Sequence, residues 1–332
     1  MKQVKFITGL MAFGVVSLFA GCGEKENEMT KVTLNEVAHS IFYAPQYVAL
    51  ENGYFTQEGL DLDLVTGYGA DKTMAAVISG EAQIGFMGAE ASVYAYLEGA
   101  NDPVINFAQG TQRAGNFLVA REEMADFQWS DLKGKEVLGG RKGGMPEMVF
   151  EYILKENGLD PAKELSIDQS IDFGSTAAAF SGGKGEFTVE FDPAATTLEK
   201  NGDGFVVASL GVDSGYVPYT SYSAKTSYVE KHPEIIQAFT DGLQKGVDYV
   251  NSHTAEEIAK VIQPQFKEND LDTITRIVER YQSQDTWKEN LVFEKESFEL
   301  LQDILESAGE LEKRADYEKL VTTIYAKEAM KK

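Results

Sequence analysis

The chain has a single cysteine, Cys22, in 332 residues. A lone thiol excludes an intrachain disulfide and any zinc site built on several cysteines. Three histidines, His39, His232 and His253, leave little for a histidine metal site. Positive charge is scarce too: 30 Lys and Arg face 53 Asp and Glu, a formal net of -23. Binding nucleic acid by counterion release wants a basic face, which demotes that class, and an anionic membrane surface is an equally poor partner. The glycine-rich run at 139–144 lacks the Gly-Lys-Ser/Thr ending of a P-loop. No repeat is visible that would suggest an adhesive array. What remains is a chain with 43% hydrophobic and 11% aromatic residues, ordinary for a packed protein. Its length suits two domains.

The N-terminus sets an address. Lys2 and Lys5 precede an uncharged apolar run at 6–20. That run is short for a bilayer span of about 20 residues and suits the h-region of a signal peptide. It ends in Phe19-Ala20-Gly21-Cys22, which resembles a bacterial lipoprotein lipobox, with Phe19 where Leu is usual. The resemblance implies cleavage after 1–21 and a lipid anchor to the membrane on Cys22, with 22–30 a polar tether. An extracytoplasmic globule has no access to cytosolic nucleotide cofactors, and none is expected.

Short apolar strands and helical segments then alternate. Strands are expected at 31–37, 60–65, 83–86, 104–109 and 117–120, with helices at 45–52, 71–79 and 89–98 between them. Gly53, Gly80 and Gly99 close those helices. A second unit of the same kind starts near Ser130, with strands at 135–138, 167–171, 187–191 and 205–210. Each unit reads as α/β with a mostly parallel sheet flanked by helices. From Ser227 onward only helical spacing recurs: Ile235, Ile236, Phe239, Leu243, Val247 and Val250, then 254–262, 270–282, 295–308 and 314–328. This tail is expected to clothe the first unit. The division is 31–120 with 222–332 as lobe 1 and 121–221 as lobe 2, the chain returning through 217–224. Ligands of open α/β sheets bind at the carboxyl edge of the strands.

Local sequence narrows the family. The segment at 40–65 carries an aromatic-rich first helix and a Gly-Tyr-Phe turn; 74–89 carries Ser-Gly-Glu-Ala before Ile-Gly-Phe; 131–144 opens the second unit. Together they resemble the SsuA / thiamine-pyrimidine-synthase-like family of ABC-transporter solute-binding lipoproteins. The resemblance implies a two-lobed type 2 periplasmic-binding-protein fold, a small-molecule solute held between closing lobes, and delivery to an ABC permease with its ATPase. Enzymes of the superfamily, the fungal pyrimidine synthases, carry a cysteine-rich motif that this chain lacks, so an enzyme is the lesser reading. An acid/base pair of His39 and Glu90 would be its basis.

Candidate ligand contacts come from the loops after strands. His39, Phe42, Tyr43 and Gln46 follow the first, offering hydrogen bonds and stacking. Tyr68 lies between glycines, and Gly88 and Glu90 open a helix whose amides could hold an anion. Glu90 itself disfavours an anion and favours an amine. Gln109 and Arg113 follow the fourth strand, Arg113 as a carboxylate or sulfonate clamp. Lobe 2 offers Arg141 and Lys142 as an anion loop, Ser175 and Thr176 at a helix start, and Glu190 and Asp192 at a strand end. Asp192 precedes a proline, as the family's acidic residue often does. Tyr219 lies on the return crossing. Basic and acidic candidates mixed with aromatics favour a nitrogen heterocycle like a thiamine pyrimidine precursor; a sulfonate or nitrate is the alternative.

Overall fold

A computed structural model describes residues 29–332. The signal segment, the tether up to residue 28 and the lipid site at Cys22 lie outside the described residues. Among the described residues, ten strands form two sheets. They are β1 (Thr30–Glu36), β2 (Leu60–Thr66), β3 (Ile84–Met87), β4 (Val104–Thr111), β5 (Asn116–Ala120), β6 (Glu136–Leu138), β7 (Ser166–Asp168), β8 (Phe187–Phe191), β9 (Phe205–Ser209) and β10 (Thr220–Lys225). The first sheet runs β2-β1-β3-β10-β4 and the second β7-β6-β8-β5-β9, the same pattern twice. In each, four strands run parallel and one is reversed; β10 opposes β3 and β4, and β5 opposes β8 and β9. The reversed strand is the one that arrives from the other lobe.

Helices fill the connections. In the first lobe these are α1 (Ala44–Glu51), α2 (Tyr54–Gln57), α3 (Ala70–Ser79) and α4 (Glu90–Leu97). The second lobe has α5 (Met145–Glu156), α6 (Phe173–Ser181), α7 (Ala194–Asn201) and α8 (Leu210–Asp213). The tail has α9 (Thr226–Lys231), α10 (Pro233–Ser252), α11 (Ala255–Ile262), α12 (Leu271–Ser283), α13 (Lys295–Ala308), α14 (Tyr317–Leu320) and α15 (Ile324–Ala329). The fold class expected from sequence is confirmed: two α/β lobes, each sheet mostly parallel, with a helical tail on the first.

Three details differ from the expectation. β5 belongs to the second sheet, so the first crossing falls at 112–115 rather than after 120. An uncharged apolar strand carries no mark of which sheet it joins. Residues 220–225, expected within a crossing, form the inner strand β10. Its polar side chains hid it, yet they are hydrogen-bonded inside: Ser221 Oγ to Asn106 Oδ1 at 2.6 Å, and Tyr222 OH to Gln46 Oε1 at 3.1 Å. The helix expected at 314–328 is broken between α14 and α15. Val321 bridges Asn106 there, and Thr322 N donates to Asn106 O at 2.9 Å.

The tail does more than cover the first lobe. α10 buries Ile236, Phe239, Leu243, Val247 and Val250. It approaches α1 so closely that a Cβ on Gly246 would lie 2.2 Å from Pro45 O. α12 starts on an Asp270 cap, whose carboxylate accepts from Thr273 N at 2.7 Å. It then straps the lobes together. Arg280 of α12 meets Asp192 at 3.2 Å and Glu199 at 2.9 Å, both in the second lobe. Tyr281 OH donates to Gly115 O at 3.0 Å. Asp192 is 0% exposed, so Arg280 is the counter-charge of a buried carboxylate. Arg280→Met is therefore expected to cost about 3–5 kcal/mol in a denaturant titration, as stripping one partner of a buried pair does. Adding Asp192→Asn should recover much of that loss.

Candidate functional site

Glu90 begins α4 at the seam between the lobes, and its side chain is 3% exposed. It curls back over Gly88, where a Cβ would sit 2.0 Å from Glu90 Oε2; only glycine leaves that space. Burial pushes its carboxyl up to about 7, while its own amide, Arg141 and the Met145 amide pull the other way. Met145 is the first residue of α5, so the start of a second-lobe helix faces the start of a first-lobe one. Glu90 Oε2 is buried with no hydrogen-bond partner.

Aromatic rings surround this point. Tyr43 and Tyr219 are both buried, and the Glu90 charge helps raise both hydroxyls above the usual phenol range, after burial itself. Tyr219 OH donates to Asn116 Oδ1 at 2.5 Å, while Asn116 Nδ2 is buried and unpartnered. Phe42 packs 5.7 Å from Tyr219, 5.9 Å from Phe191 and 5.1 Å from Tyr43, centroid to centroid. Arg141 reaches Asp71 at 3.7 Å and Lys142 reaches Glu310 at 3.2 Å. Tyr94 OH donates to Gly143 O at 3.3 Å, and Ser40 Oγ to Asp192 O at 2.8 Å. The basic loop thus closes the rim through first-lobe and tail carboxylates. Asp71 lies in the first turn of α3 and pairs with Arg141 across the seam.

Several sequence candidates turn to internal work. Glu36, 0% exposed, accepts from Gln46 Nε2 at 2.7 Å, Tyr47 OH at 2.8 Å and Thr66 Oγ1 at 3.0 Å. His39 Nδ1 sits 2.9 Å from Glu36 Oε1 and its Nε2 2.9 Å from Gln265 O. Both partners are acceptors, so a doubly protonated ring satisfies both and offsets the Glu36 charge. The Glu36 bond, first of all, raises its pKa. His39 is engaged with Glu36 and Gln265, not with Glu90. Gln46 spends both ends of its amide on Glu36 and Tyr222. Arg113 donates to Gly211 O at 3.0 Å and lies 4.2 Å over the Tyr216 ring, bracing the crossings. Gln109 accepts from Lys288 at 3.3 Å.

In the second lobe, Glu190 and Phe191 alternate across β8, so Glu190 points away from the Tyr219 group. Thr188 Oγ1 donates to it at 2.6 Å, Thr176 bonds it as well, and burial lifts it to about 7. Ser175 is exposed. Asp192 caps α7, accepting Thr196 N at 2.9 Å, besides pairing with Arg280. Tyr68 is 75% exposed, with φ 56° in the left-handed region. The structure therefore brings Phe42, Tyr43, Gly88, Glu90, Arg141 and Tyr219 toward one place, and adds Asn116 and Phe191. Asn116 was visible as a polar residue at the head of an apolar strand, but its role depended on knowing where the chain crosses.

A family model described as NMT1/THI5 like matches residues 41–257. The chain belongs to the NMT1/THI5-like family. This NMT1/THI5-like chain is 46% identical over 302 residues to "Putative binding protein YtlA" of Bacillus subtilis (strain 168), covering 91% of this chain and 90% of YtlA. The alkanesulfonate-binding protein SsuA from Xanthomonas axonopodis pv. citri, solved bound to MOPS, superposes with TM-score 0.72 at 16% identity, covering 89% of this chain and 99% of that one. The nitrate-binding protein NrtA from Synechocystis PCC 6803 gives TM-score 0.70 at 15% identity, covering 92% and 89%. A ligand-binding component of an ABC-type import system from Staphylococcus aureus, with zinc bound, gives 0.73 at 16%, covering 91% and 99%. The fold of this NMT1/THI5-like protein is that of the periplasmic binding proteins.

Its buried acids set a pH dependence. Glu90 and Glu190 sit at about 7 and Glu147 at about 8, against an ordinary 4.5, all mainly through burial. Between those values the folded chain holds protons that the unfolded chain has lost, so stability falls as pH rises. His39, also raised, acts in the same direction: its contribution is full below its ordinary 6.5 and is lost above its folded pKa. Asp168 and Asp270, held at about 2 mainly by Lys184 and Thr273, contribute above 3.8 and lose that as pH falls. The denaturation midpoint is expected to decline from about pH 5 to about pH 8. Glu90→Gln should flatten that decline.

Proposed function

We propose that this protein captures a small organic solute between its lobes and delivers it to an ABC permease and its ATPase, as an extracytoplasmic protein anchored through a lipid on Cys22. The family, the fold and the binding-protein relatives support this role. One observation carries the location of the solute. Glu90 Oε2, an acceptor, and Asn116 Nδ2, a donor, are buried without partners at the lobe seam. Leaving such groups unpaired costs about 1–3 kcal/mol each, a cost that a solute bonded to both removes.

The pair selects chemistry. The solute donates a proton to Glu90, accepts one from Asn116, and lies flat among Phe42, Tyr43, Phe191 and Tyr219. An amino-substituted nitrogen heterocycle, such as a pyrimidine precursor of thiamine, meets all three demands. A sulfonate or nitrate offers acceptors alone and would face the Glu90 carboxylate. Arg141, whose charge acts on Glu90, is the observation that keeps an anion as the second reading.

A thermal-shift panel of aminopyrimidines, sulfonates, nitrate and amino-acid zwitterions tests the reading. An aminopyrimidine is expected to raise the melting temperature by mass action. Glu90→Gln should weaken that binding about 10- to 100-fold, the worth of a hydrogen bond to a charged group. A shift with sulfonate or nitrate and none with aminopyrimidines would reverse the choice of ligand. Chemical turnover of the solute would overturn the transport role.

A further inference from the structure

A cavity of about 170 Å³ lies at the crossings and shares no lining residue with the Glu90 group. Its walls are Gln109 at the end of β4, Gln112 in the first crossing, Tyr216 and Val217 in the second, and Lys288 and Ser297 from the tail. The crossings are tied together there, since Val217 N donates to Gln112 O at 2.9 Å. The tail is tied to them as well: Gln112 N donates to Thr286 O at 3.0 Å and Gln112 Nε2 to Asp285 O at 3.0 Å.

Lys288 is the unusual member. Its ammonium is half-buried, and burial lowers its pKa. Nζ donates to Val292 O at 2.5 Å and to Gln109 Oε1 at 3.3 Å, two neutral acceptors. Among the described residues no carboxylate pairs with it, and Glu294 acts on it only through space. An ammonium has three donors, so one is left. In a chain with a net charge of -23, a cation this buried and without an acidic partner is conspicuous. Ser297, in the first turn of the long helix α13, adds a hydroxyl beside Lys288.

We propose that this cavity is a binding site for a small oxyanion of the phosphate or carboxylate class, held by Lys288, Ser297 and Gln112. The oxyanion accepts the free Lys288 proton and the Ser297 hydroxyl proton, and it supplies the charge partner that Lys288 lacks. The volume admits a tetrahedral or planar anion of a few heavy atoms. The site is separate from the solute site and does not depend on its reading.

Isothermal titration of the purified chain with inorganic phosphate, and separately with acetate, tests this against sodium chloride at matched ionic strength. At least one of the two is expected to give saturable heat, weakened about tenfold or more in Lys288→Met. The melting-temperature rise with an aminopyrimidine should persist in that variant, which separates failure of this site from failure of the solute site. Should Lys288→Met not fold, Ser297→Ala is expected to weaken the same heat several-fold. Absence of saturable heat with both probes would overturn the proposal. So would heat unchanged in the variants, or heat abolished by Arg141→Gln with Lys142→Gln, which would place the anion on the basic rim loop.

Discussion

A carboxylate buried at the boundary of two lobes is the constraint around which this protein is arranged. Glu90 is shielded by Tyr43 and Tyr219 and faces the first turn of α5. Burying a carboxylate without full pairing is unfavourable, and the chain tolerates it by raising the pKa rather than by supplying a salt bridge. Such a group is poorly explained as a stabilising feature. Under the proposed function it is half of a binding site whose other half arrives with the solute. Glu36, equally buried, shows the contrast: its oxygens meet an amide, two hydroxyls and an imidazole, and it serves the fold.

The lobes hold this arrangement because each lends a strand to the other's return path. β5 and β10 are the reversed strands of their sheets, and both begin next to the seam, so Asn116 and Tyr219 are brought to the same point from opposite directions. α12 closes the back, with Arg280 bonded into the second lobe and Tyr281 to the first crossing. The rim is held by the more exposed contacts of Arg141 and Lys142. Exposed pairs of that kind contribute little, of the order of 0–1 kcal/mol. The back of the molecule is therefore fastened more firmly than the rim.

Much of the fold was legible in the sequence, because parallel α/β units advertise themselves by alternating apolar strands and amphipathic helices. The α10 stripe and the tail helices α11, α12 and α13 fall where the spacing put them. Strand β10 did not show, since its serines and tyrosine find their partners inside, at Asn106, Gly85 and Gln46, and so mimic a loop. Of the candidate site, Glu90, Phe42, Tyr43 and Tyr219 came from local reasoning about loops after strands. His39, Gln46, Arg113 and Asp192 came from the same reasoning, yet their partners, Glu36, Gln265, Gly211 and Arg280, bind them from within the fold. A polar residue at a strand end looks the same in sequence whether it faces a solute or a distant helix. Asn116 and Lys288 needed three dimensions, because what distinguishes them is a missing partner.

The most direct measurement is a crystal structure of the protein with the compound that raises its melting temperature most. The account predicts that compound at the lobe seam, within hydrogen-bond distance of Glu90 Oε2 and Asn116 Nδ2, with its ring against Phe42 and Tyr219. A compound bound elsewhere, with Glu90 and Asn116 still unpartnered, would contradict it.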